Sequence, residues 1–257
     1  MPALSVIIPV FNNAPHIGRT LESVEAAIRY LDKHMSGAGA EIVVVDDAST
    51  DGTRLIVEAC ARDRAHVRLL ANPTNQGASV GRNRGAAAAK GDALCFFDAD
   101  DIMLERHLFV AHDVLTRYPG AAVAQMRLRI DETLHPEWRK SIEDSVVFNK
   151  AIRRNAHAFI GGFLESPLFK VLPCEDVFYS QMLATFFQVA YVDEATVHHF
   201  RYPGNALDRQ IEKFSRPPGA GPDSETPAER ETAPKVYKLF QARMAELETK
   251  RQREAKA

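Results

Sequence analysis

Four short, almost wholly apolar runs, at residues 4–10, 41–45, 67–70 and 93–97, alternate with stretches whose apolar side chains recur at helical spacing. After the first run, Ile17, Leu21, Val24, Ile28 and Leu31 fall three or four residues apart, the period of one helix face. Residues 53–62, 78–89 and 104–118 repeat that pattern after the later runs. A strand that is apolar at successive positions has no solvent face, so it belongs inside a sheet covered on both sides. Such strands alternating with helices predict a mostly parallel α/β layer. Further on, residues 121–130 alternate like a strand, 175–187 read as a helix and 188–192 as another strand.

In open parallel sheets ligands bind beyond the carboxyl ends of the strands. The residues there are Phe11-Asn12-Asn13, Asp46-Asp47, Asn72 and Asp98-Ala99-Asp100-Asp101. Carboxylates converging on one edge repel unless a cation or a donor-rich ligand holds them. Helix capping is the plainer use of Asp and Asn, and it suits Asp51. Asp98 and Asp100, two apart in an extended segment, point to the same side. Hard carboxylate oxygens suit Mn²⁺ or Mg²⁺, which draws the rest of its shell from water and ligand phosphate.

The first strand lacks a following GxGxxG, no stretch ends in GK[ST], and HExxH does not occur. Dinucleotide, Walker-type and zinc-protease sites are thereby disfavoured. Lys plus Arg number 32 against 34 Asp plus Glu, a net charge of -2 that supplies no field for nucleic acid. Cys60, Cys95 and Cys174 are odd in number and without CxxC spacing, which points to a reducing compartment. No window approaches the roughly 20 apolar residues of a membrane span. The expectation is a cytoplasmic protein, with peripheral attachment at the inner face of the membrane left open.

Several segments together resemble glycosyltransferase family 2, whose fold is GT-A. They are Val6-Ile7-Ile8-Pro9-Val10-Phe11-Asn12, Val43-Val44-Val45-Asp46-Asp47-Ala48-Ser49-Thr50-Asp51-Gly52-Thr53, residues 75–85, Phe97-Asp98-Ala99-Asp100-Asp101, Gly161-Gly162-Phe163 and Glu175-Asp176. They follow in the family's order across about residues 4–205.

The resemblance implies a metal-dependent, inverting transfer from a nucleotide-diphosphate sugar, UDP-linked by default, to a glycan, lipid-linked or small-molecule acceptor. Pro9, Val10 and Phe11 would line the base pocket and Asp47 accept a hydrogen bond from the base. Arg82 would approach the diphosphate, and Asp98 hold the ribose or sugar. Asp98, Asp100 and His199 would hold Mn²⁺ or Mg²⁺. Gly161 and Gly162 would let the backbone pass close to donor or acceptor. Asp176 would be the catalytic base, with Glu175 beside it. His198 and His199 are adjacent, so at most one faces the site. Arg201 would belong to a flexible lid.

The expected organisation is a GT-A domain at 1–213, divided into a nucleotide-sugar half at 1–120 and an acceptor half at 121–213. A Pro-rich linker at 214–234 and a charged amphipathic helix at 235–257 follow. The stripe Val236, Phe240, Met244 and Leu247 either docks on the core or pairs two copies as a homodimer. The competing reading is a non-catalytic GT-A module that binds a nucleotide sugar or glycan within a larger assembly. A sugar nucleotidyltransferase is disfavoured because the glycine-rich, basic N-terminal loop for a triphosphate is missing.

Overall fold

A computed structural model describes residues 4–203, 205–214 and 226–256. The first half runs β1 (Leu4–Val10), α1 (Ala14–His34), β2 (Ala40–Asp46), α2 (Thr53–Arg62), β3 (Val67–Ala71), α3 (Ala78–Ala88) and β4 (Ala93–Phe96). The second runs β5 (Ile102–Met103), α4 (His107–Arg117), β6 (Ala121–Arg129), α5 (Pro136–Ser145), β7 (Lys150–Arg153) and α6 (Arg154–Ile160). A 3-10 turn at Pro167–Lys170 then leads to α7 (Glu175–Phe186), β8 (Gln188–His198), α8 (Ala206–Phe214) and α9 (Pro227–Glu254).

One sheet has the order β3-β2-β1-β4-β7-β6-β8-β5. Its first four strands are parallel, as the alternating pattern predicts. β7 then runs antiparallel to both β4 and β6, β8 lies parallel to β6, and β5 pairs antiparallel with β8. The sheet is therefore mixed in its second half. Alternate side chains of each strand feed two layers: Ile42 and Val44 enter one core, Val43 and Val45 the other. That double burial explains why these runs carry no polar alternation.

Three element boundaries differ from the sequence expectation. The segment expected as the first turn of the 104–118 helix instead joins β5 to α4: Leu104 donates its amide to the Thr196 carbonyl (2.9 Å), Glu105 and Arg106 form a turn, and α4 starts at His107. β8 runs on to His198, past the polar residues Asp193 and Glu194, which pair with Arg127 and Arg106. Helix α9 begins at Pro227, inside the stretch expected as linker. Thr226 and Glu229 form a reciprocal capping box with Pro227 at the first helical position, a start signal that outweighs the local proline count. Residues 215–225 of that linker lie outside the described residues.

Val236, Phe240 and Leu247 are buried in the second core and Met244 packs on it, with the Phe240 ring stacked on Phe178 (4.6 Å between centroids). The apolar stripe of α9 thus covers the chain's own core, and it is not a free face for pairing two copies. Among the described residues, no helix is long and apolar enough to cross a membrane.

Candidate active site

Two loops at the carboxyl ends of β1 and β2 are laced together before any ligand is considered. Asn12 donates its amide to Ser49 Oγ (3.0 Å) and accepts from the Thr50 amide (2.8 Å). Asp51 accepts from the amides of Ala14 and Thr53 and so ties the start of α1 to that of α2, whose N-cap residue is Gly52 rather than Asp51. Asn12 and Ala48 take positive φ, 47° and 65°. A left-handed alanine is strained backbone of the kind that accumulates at functional sites.

These loops form one wall of a cleft of about 320 Å³, lined by Pro9, Val10, Phe11, Asp47, Arg82, Asp98 and Asp100 among others. Seven residues expected at a donor site are thus brought together. The Phe11 ring is 47% exposed, leaving a face on which a planar ligand can stack. A larger cavity of about 500 Å³ lies among α5, α7, β6 and β8. Its lining acids, Glu137 and Asp144, share the wall with Lys140 and Lys150, and Lys140 pairs with Asp144, so chemistry rather than size favours the strand-end cleft.

Arg82 is the centre of the site. It is buried, donating from Nη2 to Asp98 Oδ1 and from Nη1 to Glu175 Oε1, both at 3.0 Å, and its guanidinium lies over the Phe163 ring at 5.2 Å. The negative charges of Asp98, Glu175 and Asp176 outweigh its burial and hold its proton more firmly than usual. Arg82 therefore ties the acidic end of β4 to the acidic first turn of α7, rather than presenting a bare cation to a diphosphate.

Asp176, half-buried in that first turn, has its carboxyl pushed up to about 7 by burial first and by the charge of Glu175 second. Glu175 is engaged by Arg82, so its place is to orient the site. Burial, then the negative charges of Asp101 and Asp98, pushes the Asp100 carboxyl up to about 6. A divalent cation relieves that repulsion, so this donor set suits one. No group of three or more His, Cys, Asp or Glu side chains among the described residues is gathered to hold a metal alone. The cation would lean on one or two carboxylates and on ligand oxygens.

Several expected roles change. Asp47 receives three protein donors, Asn72 Nδ2 and the amides of Gln76 and Gly77, at 2.6–3.0 Å. It anchors the 72–77 loop, and its oxygens are already engaged where a base was expected to bind. His199 Nδ1 lies 2.9 Å from both oxygens of buried Asp101, which orients the ring and leaves Nε2 as the nitrogen available to a metal. His198 meets Asp131 (2.9 Å) and stacks on Phe200. Arg201 pairs with Asp208 of α8. Gly161 and Gly162 do not line the cleft; both have φ of 75° and turn the chain at the end of α6. A Cβ there would come within 2.6 Å of Arg243 Nη1 or 2.5 Å of Asn83 Oδ1.

Nothing local marks Arg19, whose Nη2 donates to the Asp100 carbonyl (3.0 Å) and to the Tyr202 hydroxyl. Its guanidinium also lies over the Phe200 and Tyr202 rings. An arginine four residues from the Pro15 start signal, on an amphipathic helix, reads as surface until the fold brings the 199–202 segment over it.

Strand order, the mixed half-sheet and the acidic cleft define a GT-A-type nucleotide-ligand fold. Among solved structures, it resembles TarS 1–349 of Staphylococcus aureus in complex with UDP-GlcNAc, with a TM-score of 0.67, 21% identity, and coverage of 81% of this chain and 61% of that one. It also resembles the mannosyltransferase PcManGT of Pyrobaculum calidifontis in complex with GDP-Man and Mn²⁺ (TM-score 0.63, 20% identity, 96% and 75% covered). The glycosyl transferase family 2 model matches residues 5–171, and the chain belongs to that family. A poly(ribitol-phosphate) beta-N-acetylglucosaminyltransferase of Staphylococcus aureus, TarP, is 34% identical over 109 residues, covering 42% of this chain and 31% of that protein. Matches to the first two curated relatives span 46% and 26% of their own lengths.

Proposed function

We propose that the chain is an inverting glycosyltransferase that uses a nucleotide-diphosphate sugar, UDP-linked by preference, and a divalent cation. One observation carries the reading: a buried arginine joins the acidic strand end in the cleft to the acidic first turn of α7. A ligand with a base and a diphosphate has matching counterparts from exposed Phe11 to Asp98 and Asp100; Asp176 does not line that cleft, but its carboxyl feels the charges of Arg82 and Asp98 that do. The relatives bound to UDP-GlcNAc and to GDP-Man with Mn²⁺ support the donor class.

Asp100, with Asp98 beside it, would hold Mn²⁺ or Mg²⁺, which supplies positive charge to the departing diphosphate. Asp176 takes the proton of the acceptor hydroxyl as its oxygen forms the new bond to the anomeric carbon. The bond from that carbon to the diphosphate oxygen breaks on the opposite face, and its electron pair leaves with the nucleoside diphosphate. A carboxylate raised toward neutrality is a better base than an ordinary one, and with a pKa of about 7 about half of it is ionised at neutral pH. Glu175 and Arg82 keep Asp98 and Asp176 in register.

The non-catalytic module loses its main motive, because α9 packs on the core instead of extending as a tether. The test is nucleoside diphosphate release from a panel of UDP-, GDP- and dTDP-sugars with Mn²⁺, with and without sugar acceptors. The reading predicts release from one nucleotide class, reduced by at least about a hundredfold in Asp176→Asn, while that variant still binds the nucleotide. Equal turnover by Asp176→Asn removes the base assignment. Binding by the wild type without release from any donor favours the non-catalytic module.

A further inference from the structure

Helix α9 lies wholly beyond the stretch matched by the family model, yet it holds the turn that leads into Phe163. Arg243 Nη1 donates to the carbonyl oxygens of Ile160 (2.8 Å) and Gly161 (3.4 Å). These are end-of-helix carbonyls of α6, which lack an intrahelical donor. Lys250 Nζ, one face further along α9, donates to the Phe159 carbonyl (3.0 Å). A planar guanidinium fixes direction where a lone ammonium does not, so Arg243 sets how the Gly161–Gly162 turn leaves the helix.

The next residue carries that setting inward. Asn83 clasps the backbone of Phe163 on both sides, accepting from its amide (2.8 Å) and donating to its carbonyl (2.9 Å). The Phe163 ring stacks on Tyr179 of α7 at 3.8 Å and lies beneath the Arg82 guanidinium. Arg82 in turn holds Asp98 and Glu175. One unbroken series of bonds and ring contacts therefore leads from α9 to both acidic segments.

We propose that Arg243 is a positioning residue of the donor cleft: it holds the Gly161–Gly162 turn so that Phe163 supports Arg82 between Asp98 and Glu175. The effect on ligand binding rests on the donor-cleft reading above, whereas the coupling itself is readable with no ligand present.

The experiment compares the full chain with Arg243→Ala, Arg243→Lys and, as a control, Lys238→Ala at an exposed position of the same helix. Amide hydrogen exchange is followed in peptides spanning residues 157–164 and 97–101, and binding of UDP and GDP with Mn²⁺ is measured by calorimetry. Circular dichroism confirms that α9 stays helical. Arg243→Ala is expected to speed exchange in both peptides and to weaken nucleotide affinity about tenfold, with Arg243→Lys in between and Lys238→Ala like wild type. Faster exchange confined to 157–164, or unchanged exchange, with unaltered affinity overturns the proposal. If the wild type binds neither nucleotide, the donor reading fails and the 97–101 peptide alone decides: faster exchange supports the coupling, unchanged exchange overturns it.

Discussion

Replacing Arg82 with methionine keeps most of the side-chain volume and removes the charge that two carboxylates share. The Arg82 side chain is 6% exposed, that of Glu175 10% and that of Asp98 29%, so at least one carboxylate is left buried without its partner. Breaking a buried pair from one side costs about 3–5 kcal/mol. In a protein of this size about 1 kcal/mol moves the melting temperature by about 2–4 °C. Arg82→Met should therefore melt about 6–20 °C lower at pH 7.5. The sign of the pH dependence follows from the geometry. Without Arg82 a buried carboxylate carries an unpaired negative charge that acid neutralises, so the folded variant recovers stability as pH falls. The gap between variant and wild type should accordingly narrow between pH 7.5 and pH 5, and Arg82→Met/Glu175→Gln should recover part of it at pH 7.5. Thermal and urea unfolding at both pH values measure this. A gap that stays constant or widens on acidification would refute the claim that an uncompensated carboxylate causes the loss.

Three further outcomes follow from the same structure. Turnover should rise with pH along a limb near 7, because Asp176 must be ionised to accept a proton and its pKa is raised to about 7; a pH–rate profile lacking that limb removes the assignment. His107 is fully buried beside Thr196, and burial pulls it down to about 3, so the unfolded chain binds a proton below pH 6.5 that the folded chain refuses. Stability should fall by about 1.4 kcal/mol per pH unit below 6.5 from this group, and His107→Gln should flatten the pH dependence of urea unfolding. Phe240→Ala, which empties the place α9 fills against Phe178, should cost about 3–5 kcal/mol by denaturant titration, whereas a loss below about 1 kcal/mol would mean α9 is not part of the core.

The parts of this molecule that are legible from sequence are those in which one physical demand acts alone. β1, β2 and β4 are buried on both faces, so their runs leave little alternative to a covered strand. The strand-end carboxylates are legible because ligand position follows from topology. Where two demands compete, legibility fails. β7 begins with Lys150, a buried lysine whose ammonium donates to the carbonyls closing α5, so its sequence reads as polar loop. Thr226-Pro227-Ala228-Glu229 carries a helix start, but neighbouring prolines mask it. In the site, the residues were recognisable and their partners were not. Arg82 lies 16 residues from Asp98 and 93 from Glu175, and nothing local says that it joins them. Asp47 reads as a ligand acceptor until the 72–77 loop folds over it, and nothing local says that Asp101, 98 residues away, holds the His199 ring.

The most direct test of the account is calorimetric titration of UDP and GDP into the wild type and Asp100→Asn, each with Mn²⁺ and with EDTA, repeated at pH 7.5 and 5. The account predicts that one nucleotide binds wild type only with Mn²⁺, that affinity weakens at pH 5 as Asp100, raised to about 6, takes up a proton, and that Asp100→Asn abolishes the metal dependence. Binding that ignores the metal, or that survives unchanged in Asp100→Asn, would contradict it.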